Sequence, residues 1–214
     1  MNMNRPGLWI AFEGPDGVGK TTQAKLLADR LGATVVAEPG GSPLGQQLRS
    51  IIKTTEIDGD HRGIVETLLM TASRTDNYHR TILPALERGE VVVTDRCVLS
   101  TVLYQGIGRG VGDTVMDIHR LACPEADPDV VILLYADEGT RRERVLASRD
   151  GEVDIFEDDD NLVQTVADAY TMSWTGAIAE TTSVAVVLES DRDAPEVARS
   201  VYRTVRNYLK DKDL

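Results

Sequence analysis

Five short apolar runs punctuate the chain, at Leu8–Phe12, Thr34–Ala37, Val91–Thr94, Val130–Tyr135 and Val184–Leu188. Val91-Val92-Val93 and Val130-Val131-Ile132-Leu133-Leu134 are continuous rather than alternating, the pattern of strands covered on both faces, as in a parallel sheet. The stretches between them are long enough for helices, predicted at Lys20–Leu31, Pro43–Lys53, Gly63–Glu87, Thr114–Ala122, Glu138–Ser148, Asn161–Glu180 and Pro195–Lys210. Gly32, Gly89 and Pro195 punctuate their ends. The expected fold is α/β: three layers, with a five-stranded parallel sheet between helices. In such a sheet ligands bind beyond the carboxyl ends of the strands, so residues that follow strands carry the chemistry.

Directly after the first run comes Gly14-Pro15-Asp16-Gly17-Val18-Gly19-Lys20-Thr21, a complete G-x-x-x-x-G-K-[ST] phosphate loop, followed by Thr22. Its glycines let the backbone curl until several N–H groups face one phosphate chain, and the next helix adds the positive end of its dipole. Lys20 is placed to reach the β- and γ-phosphates of a bound nucleotide, and the Thr21 hydroxyl to ligate Mg²⁺. The fold expectation narrows to that of a P-loop NTPase, with residues 14–22 as the site for the phosphates of the donor nucleotide, which the resemblance described below implies is ATP.

Composition limits the alternatives. The 214 residues suit one P-loop domain spanning 1–214, with a lid inserted at about 144–160. Lys and Arg total 23 against 35 Asp and Glu, and the net charge of −12 argues against nucleic acid and anionic membrane surfaces as partners. No run approaches the ~18 apolar residues of a membrane span, and Met1–Gly7 lacks the apolar core of a signal peptide. With Cys97 and Cys123 as the only cysteines, a reducing cytoplasm is the simplest location. Six of the nine residues Glu152–Asp160 are acidic, just after Arg141, Arg142, Arg144 and Arg149. A solvated surface segment accounts for that run; so does a lid.

After the Val91–Thr94 strand come Asp95-Arg96, Ser100-Thr101 and Tyr104-Gln105-Gly106-Ile107-Gly108-Arg109-Gly110. Together with Glu13-Gly14, Glu38-Pro39-Gly40-Gly41 and Leu48-Arg49-Ser50, these motifs resemble thymidylate kinases of the bacterial type over nearly the whole chain, weakening after about residue 160. The resemblance implies transfer of the γ-phosphoryl group from Mg-ATP to the 5′-phosphate of dTMP, in a homodimer. The chemistry suits the residues present. A phosphate acceptor already carries close to two negative charges and needs no base to remove a proton. His61, His79 and His119, all on predicted helices or helix starts, read as surface or core residues.

Cations then carry the reaction. By resemblance Arg96 grips the acceptor phosphate as a bidentate fork, and Asp95 closes its strand where a Walker-B-like acid assists Mg²⁺ beside Thr21; a plain strand-end ion pair is the other reading of Asp95-Arg96. Family members carry a catalytic arginine in the phosphate loop or on the lid. Positions 15–18 here hold no cation, which leaves the lid, with Arg149 the best match and Arg144 next.

For the acceptor, the resemblance implies a dTMP site of Asp16, Glu38, Pro39, Arg49, Met70, Arg74, Arg96, Thr101, Tyr104 and Gln105. Arg74 matches the arginine that meets the pyrimidine edge, Asp16 the acid at the sugar 3′-hydroxyl, and Tyr104 the residue that crowds the 2′ position. Met70 stands where phenylalanine usually stacks on the base, although ordinary core packing accounts for it too. Cys97 replaces a larger residue and reads as packing filler, and Ala37 stands where an arginine often precedes Glu-Pro-Gly-Gly. Ser190–Asp193 is the expected adenine loop. Rival readings are a kinase for dUMP or a modified pyrimidine nucleotide and a non-catalytic nucleotide-binding protein. GTPases and transport ATPases lack support, because Asn-Lys-x-Asp and Leu-Ser-Gly-Gly-Gln are both absent.

Overall fold

The computed structural model describes residues 6–148, 159–172, 182 and 184–211. All five predicted strands form: β1 (Leu8–Glu13), β2 (Thr34–Ala37), β3 (Val91–Asp95), β4 (Val130–Tyr135) and β5 (Val184–Glu189). They make one sheet in the order β2-β3-β1-β4-β5, and every pairing is parallel. β1 is fully buried, whereas the edge strands β2 and β5 are only partly covered. Continuous apolar sequence thus marks the centre of the sheet, as expected for strands packed on both faces.

The helices α1 (Lys20–Leu31), α2 (Pro43–Thr54), α6 (Thr114–Ala122) and α7 (Glu138–Ser148) match their expected spans to within a residue, and α9 (Ala194–Asp211) begins and ends one residue outside its own. The helix expected at Asn161–Glu180 is α8, Asp160–Met172; its remaining residues lie outside those described. Two differences stand out. The stretch read as one helix over Gly63–Glu87 is α3 (Arg62–Asn77), a π turn at Tyr78–Ile82, and α4 (Leu83–Glu87). Pro84 lacks an N–H and its ring crowds the carbonyl four residues back, and a widened turn just before it relieves both problems. The second difference is a helical segment where only motif residues were expected: α5 (Val98–Thr101) continues into a π-helical stretch at Val102–Gly108. π turns recur at functional sites, and this one carries Tyr104 and Gln105.

On one face of the sheet, Val197, Val201 and Val205 of α9, at helical spacing, pack with Ala24, Leu27 and Ala28 of α1 against Ile10, Phe12 and Ile132. On the other face, Leu162, Val166 and Ala169 of α8 meet Leu99, Leu103, Val131 and Leu133. A third cluster joins Trp9, Tyr78, Ile82 and Leu86. Each fully buried side chain of this size stabilises the fold by about 1.5–3 kcal/mol. The Trp9 indole also meets its polar need, donating to Thr94 Oγ1 at 3.0 Å.

Register brings the carboxyl ends level, with Phe12 and Ala37 both opposite Asp95, Glu13 opposite Leu133, and Tyr135 opposite Glu189. The chain leaving each strand is fastened to its neighbour. Glu38 N donates to Asp95 O and Arg96 N to Phe12 O, both at 2.9 Å, and Ser190 N to Tyr135 O at 2.8 Å.

Candidate active site

A cleft of about 790 Å³ opens along these strand ends. One wall is the phosphate loop. Gly14 has φ +139° and Gly17 φ +84°, and a Cβ at Gly17 would stand 2.4 Å from the Arg141 carbonyl oxygen, so only glycine lets the loop lie this close to α7. Lys20 is buried and donates to Pro15 O at 2.8 Å and Asp16 Oδ1 at 3.3 Å. Burial and the nearby Arg96 charge push the Lys20 ammonium below its ordinary pKa, with Asp16 opposing. Thr21 Oγ1 donates to Asp95 Oδ2 at 2.5 Å, joining the two expected metal-site oxygens.

The opposite wall carries Arg96. It adopts φ +76°, a left-handed conformation costing a side-chain-bearing residue roughly 1–2 kcal/mol, and Glu13 helps to hold it there. That carboxylate, fully buried at the end of β1, accepts from Cys97 N at 2.8 Å, Ser100 N at 3.1 Å, Ser100 Oγ at 2.8 Å and Tyr170 OH at 2.6 Å. Four donors compensate a buried charge that would otherwise be costly. Glu13 thereby ties the chain just past Arg96 to α8. The guanidinium itself donates to Ser100 Oγ at 2.8 Å and Asp16 Oδ1 at 2.5 Å, with its carbon 5.2 Å from the Tyr104 ring centre.

Asp16 is thus the junction of the cleft. Lys20, Arg96 and the Tyr104 hydroxyl, which donates to Oδ2 at 2.9 Å, all converge on it. Burial alone would raise its carboxyl pKa, but Arg96 and Lys20 outweigh that and hold it well below the usual carboxylate range. Burial, then Asp16, pushes the Tyr104 phenol up.

Beyond Arg96 the cleft deepens toward α3. Arg74, 3% exposed, donates from Nε to Glu38 Oε2 at 2.8 Å and from Nη2 to Thr101 Oγ1 at 2.8 Å. Burial raises the Glu38 carboxyl pKa, with Arg74 pulling the other way. Gln105 is buried beside them, and half-buried Met70 lines the same space. Arg49 is exposed and donates to Pro39 O at 2.9 Å.

Most of the residues singled out in the sequence therefore meet in one cleft. Lining it are the loop residues from Asp16 to Thr22, Glu38, Pro39, Arg49, Met70, Arg74, Asp95, Arg96, Thr101, Tyr104 and Gln105. Arg144 also lines it, but its guanidinium reaches backbone carbonyls: Gly17 O at 3.4 Å, Ser190 O at 2.8 Å and Arg192 O at 3.2 Å. It braces the phosphate loop against the 190–193 segment. Arg149 lies outside the described residues. Cys97 is buried in the apolar cluster under the site, and burial, then Glu13, raises its thiol pKa, as befits filler rather than a nucleophile. His61 and His79 are exposed; His119 is buried against Asp127 and Cys123.

Glu13, Ser100 and Tyr170 had no assigned role from sequence. Tyr170 lies 157 residues from its partner Glu13. Its only sequence signal is its place on the apolar stripe Leu162, Val166, Ala169, Tyr170 of a predicted helix.

A phosphate loop facing a second, arginine-lined pocket across one cleft defines a P-loop nucleoside monophosphate kinase. A family profile for thymidylate kinase matches residues 12–182. A thymidylate kinase of Leifsonia xyli subsp. xyli is 45% identical over 152 residues, covering 68% of this chain and 71% of that protein. One from Thermomicrobium roseum is 43% identical over 148 residues, 65% and 69% of the two chains. One from Ruegeria pomeroyi is 41% identical over 165 residues, 73% and 75%. The chain belongs to the thymidylate kinase family.

Proposed function

We propose that this protein transfers the γ-phosphoryl group of Mg-ATP to the 5′-phosphate of dTMP, giving dTDP and ADP. The observation that carries the reading is the convergence of Lys20 and Arg96 on one carboxylate oxygen of Asp16, from opposite walls of the cleft. Two cations held that close, one on each wall, address the problem of bringing two polyanions within bonding distance. On the donor side the loop amides and Lys20 hold the β- and γ-phosphates of ATP, and the 190–193 segment braced by Arg144 meets the adenine. On the acceptor side Arg96 grips the dTMP phosphate, Tyr104 and Asp16 bracket the sugar, and Arg74 with Thr101 meets the pyrimidine edge. The mutual hydrogen bond of Tyr104 and Asp16 supports that bracket, because the two residues expected at neighbouring sugar positions are in contact.

Thr21 Oγ1 and Asp95 Oδ2 fit Mg²⁺. They are adjacent hard oxygen donors, and Mg²⁺ bound largely through phosphates and water needs only one or two protein carboxylates. When bound, the ion neutralises charge on the β- and γ-phosphate oxygens. The remaining transition-state charge is assigned to Arg149 on a lid at about 144–160, since Arg144 is engaged with carbonyls and loop positions 15–18 hold no cation. Among the described residues no helix is long and apolar enough to cross a membrane. A homodimer working in the cytoplasm completes the proposal.

Coupled ADP release with dTMP, dUMP, dCMP and dGMP as acceptors tests it. Preferred turnover of dTMP is expected. Equal turnover of dCMP or dGMP contradicts the proposal.

A further inference from the structure

Glu66 is a buried carboxylate, 2% exposed, with no part in the chemistry above. It lies on α3, two turns before Arg74. Its Oε1 accepts from Arg62 Nε at 2.7 Å, and its Oε2 accepts from Gln105 Nε2 at 3.1 Å and Arg109 Nε at 3.4 Å. Arg109 in turn donates to Asp159 Oδ2 at 2.8 Å, at the head of α8, so the group sharing Oε2 is itself anchored. Paired with two guanidinium groups, the Glu66 carboxylate is an acceptor only. It can hold the Gln105 side chain in one sense, with the NH₂ toward Glu66 and the carbonyl Oε1 away from it.

That Oε1 is buried and has no hydrogen-bond partner among the described residues; the same holds for Arg74 Nη1. Both residues line the cleft. Buried polar atoms of this kind call for an explanation, and a ligand that completes them is one. An acceptor at Gln105 and a donor at Arg74 complement a pyrimidine edge bearing N3–H beside a C4 carbonyl. Cytosine presents the reverse pair, an N3 acceptor beside an amino group.

The geometry points to Glu66 as a positioning residue for base selection: by fixing the sense of the Gln105 amide, it makes the pocket accept an N3–H pyrimidine and refuse an N3 acceptor. The inference rests on the proposed reading of the cleft as the acceptor-nucleotide pocket. In Glu66→Gln, the new amide can donate to Gln105 Oε1, the 105 amide is free to reverse, and its NH₂ can face the base. Exchanging the two residues in Glu66→Gln/Gln105→Glu restores the order, since a carboxylate at 105 accepts from the amide at 66 and still offers an oxygen to the base.

The test is steady-state kinetics with dTMP and dCMP on the full chain. Glu66→Gln is expected to lower the dTMP-to-dCMP ratio of kcat/KM about tenfold, the scale of one hydrogen bond. The loss should fall mainly on KM for dTMP, with kcat within about twofold. The exchange variant should recover the ratio to within about threefold of wild type, and Arg62→Gln, which leaves Oε2 and Gln105 in place, should keep it within about twofold. The inference is overturned if Glu66→Gln depresses both acceptors equally, if the exchange recovers nothing, or if Arg62→Gln lowers the ratio as much. Should Glu66→Gln fail to fold, the exchange variant decides alone: a wild-type ratio supports the inference and a tenfold loss overturns it. Wild-type protein that turns over no dTMP sinks the underlying reading, whereas wild-type turnover with an unchanged ratio in Glu66→Gln sinks this inference only.

Discussion

The donor cradle comes from eight consecutive residues, Gly14–Thr21, whereas the acceptor pocket draws Glu38, Arg74, Arg96, Thr101 and Gln105 from separate stretches of chain. The first works through backbone shape. Its glycines permit close approach to α7, and its charge comes from amides and one lysine. The second works through buried side chains that hold one another, Arg74 on Glu38 and Thr101, and Arg96 on Asp16 and Ser100. A backbone cradle tolerates changes of side chain but not an added Cβ. A side-chain pocket tolerates small shifts of backbone but not the loss of one member of a charge pair.

The largest effect should follow from breaking the acceptor pair. Arg74→Met leaves Glu38 buried without its cation, a loss worth about 3–5 kcal/mol of stability. Urea unfolding at neutral pH should show it as a lower midpoint with an unchanged slope. Next comes the charge that neither cradle supplies. Arg149→Ala should lower kcat about 10²–10³-fold while leaving nucleotide dissociation constants nearly unchanged, as single-turnover and binding measurements would report. A loss expressed only in KM would reduce Arg149 to a binding contact.

On the donor side, Gly17→Ala sets a methyl group against the Arg141 carbonyl at positive φ. The expected cost is about 1–3 kcal/mol, seen as a raised KM for ATP with KM for dTMP little changed. An equal rise for both substrates would mean that the two walls are not independent. The smallest effect concerns the Asp159 carboxylate, held below its ordinary pKa first by the Leu162 backbone N–H and then by Arg109. A carboxyl whose folded pKa is depressed contributes stability above its unfolded value and loses it as pH falls through the folded one. Asp159→Ala should therefore cost about 1 kcal/mol at pH 7. Thermal unfolding should show that difference shrinking below about pH 4, the unfolded aspartate range.

The same contrast explains what could be read from sequence. Continuous Val and Ile runs revealed the sheet, because strands buried on both faces need no alternation. The donor cradle was legible because its chemistry sits in one string behind a strand. The acceptor residues became visible only through resemblance to a family, since no local rule places Arg74 against Glu38, 36 residues earlier. Residues that hold other residues were hardest to see. Glu13 meets Tyr170 across 157 positions, and Glu66 meets Gln105 across 39. Such pairs depend on tertiary packing, for which a single chain carries no periodic signal. The π turn before Pro84 and the π-helical stretch at Val102–Gly108 escaped for a related reason, because neither follows the spacing of a regular α-helix.

Everything proposed depends on two anions meeting between Lys20 and Arg96. The most direct test is a crystal structure with dTMP and a non-hydrolysable ATP analogue bound together. The account predicts the dTMP phosphate within about 3 Å of the Arg96 guanidinium nitrogens, with its base against Arg74 and the analogue's terminal phosphate on Lys20. A pyrimidine nucleotide bound away from Arg96 would contradict it.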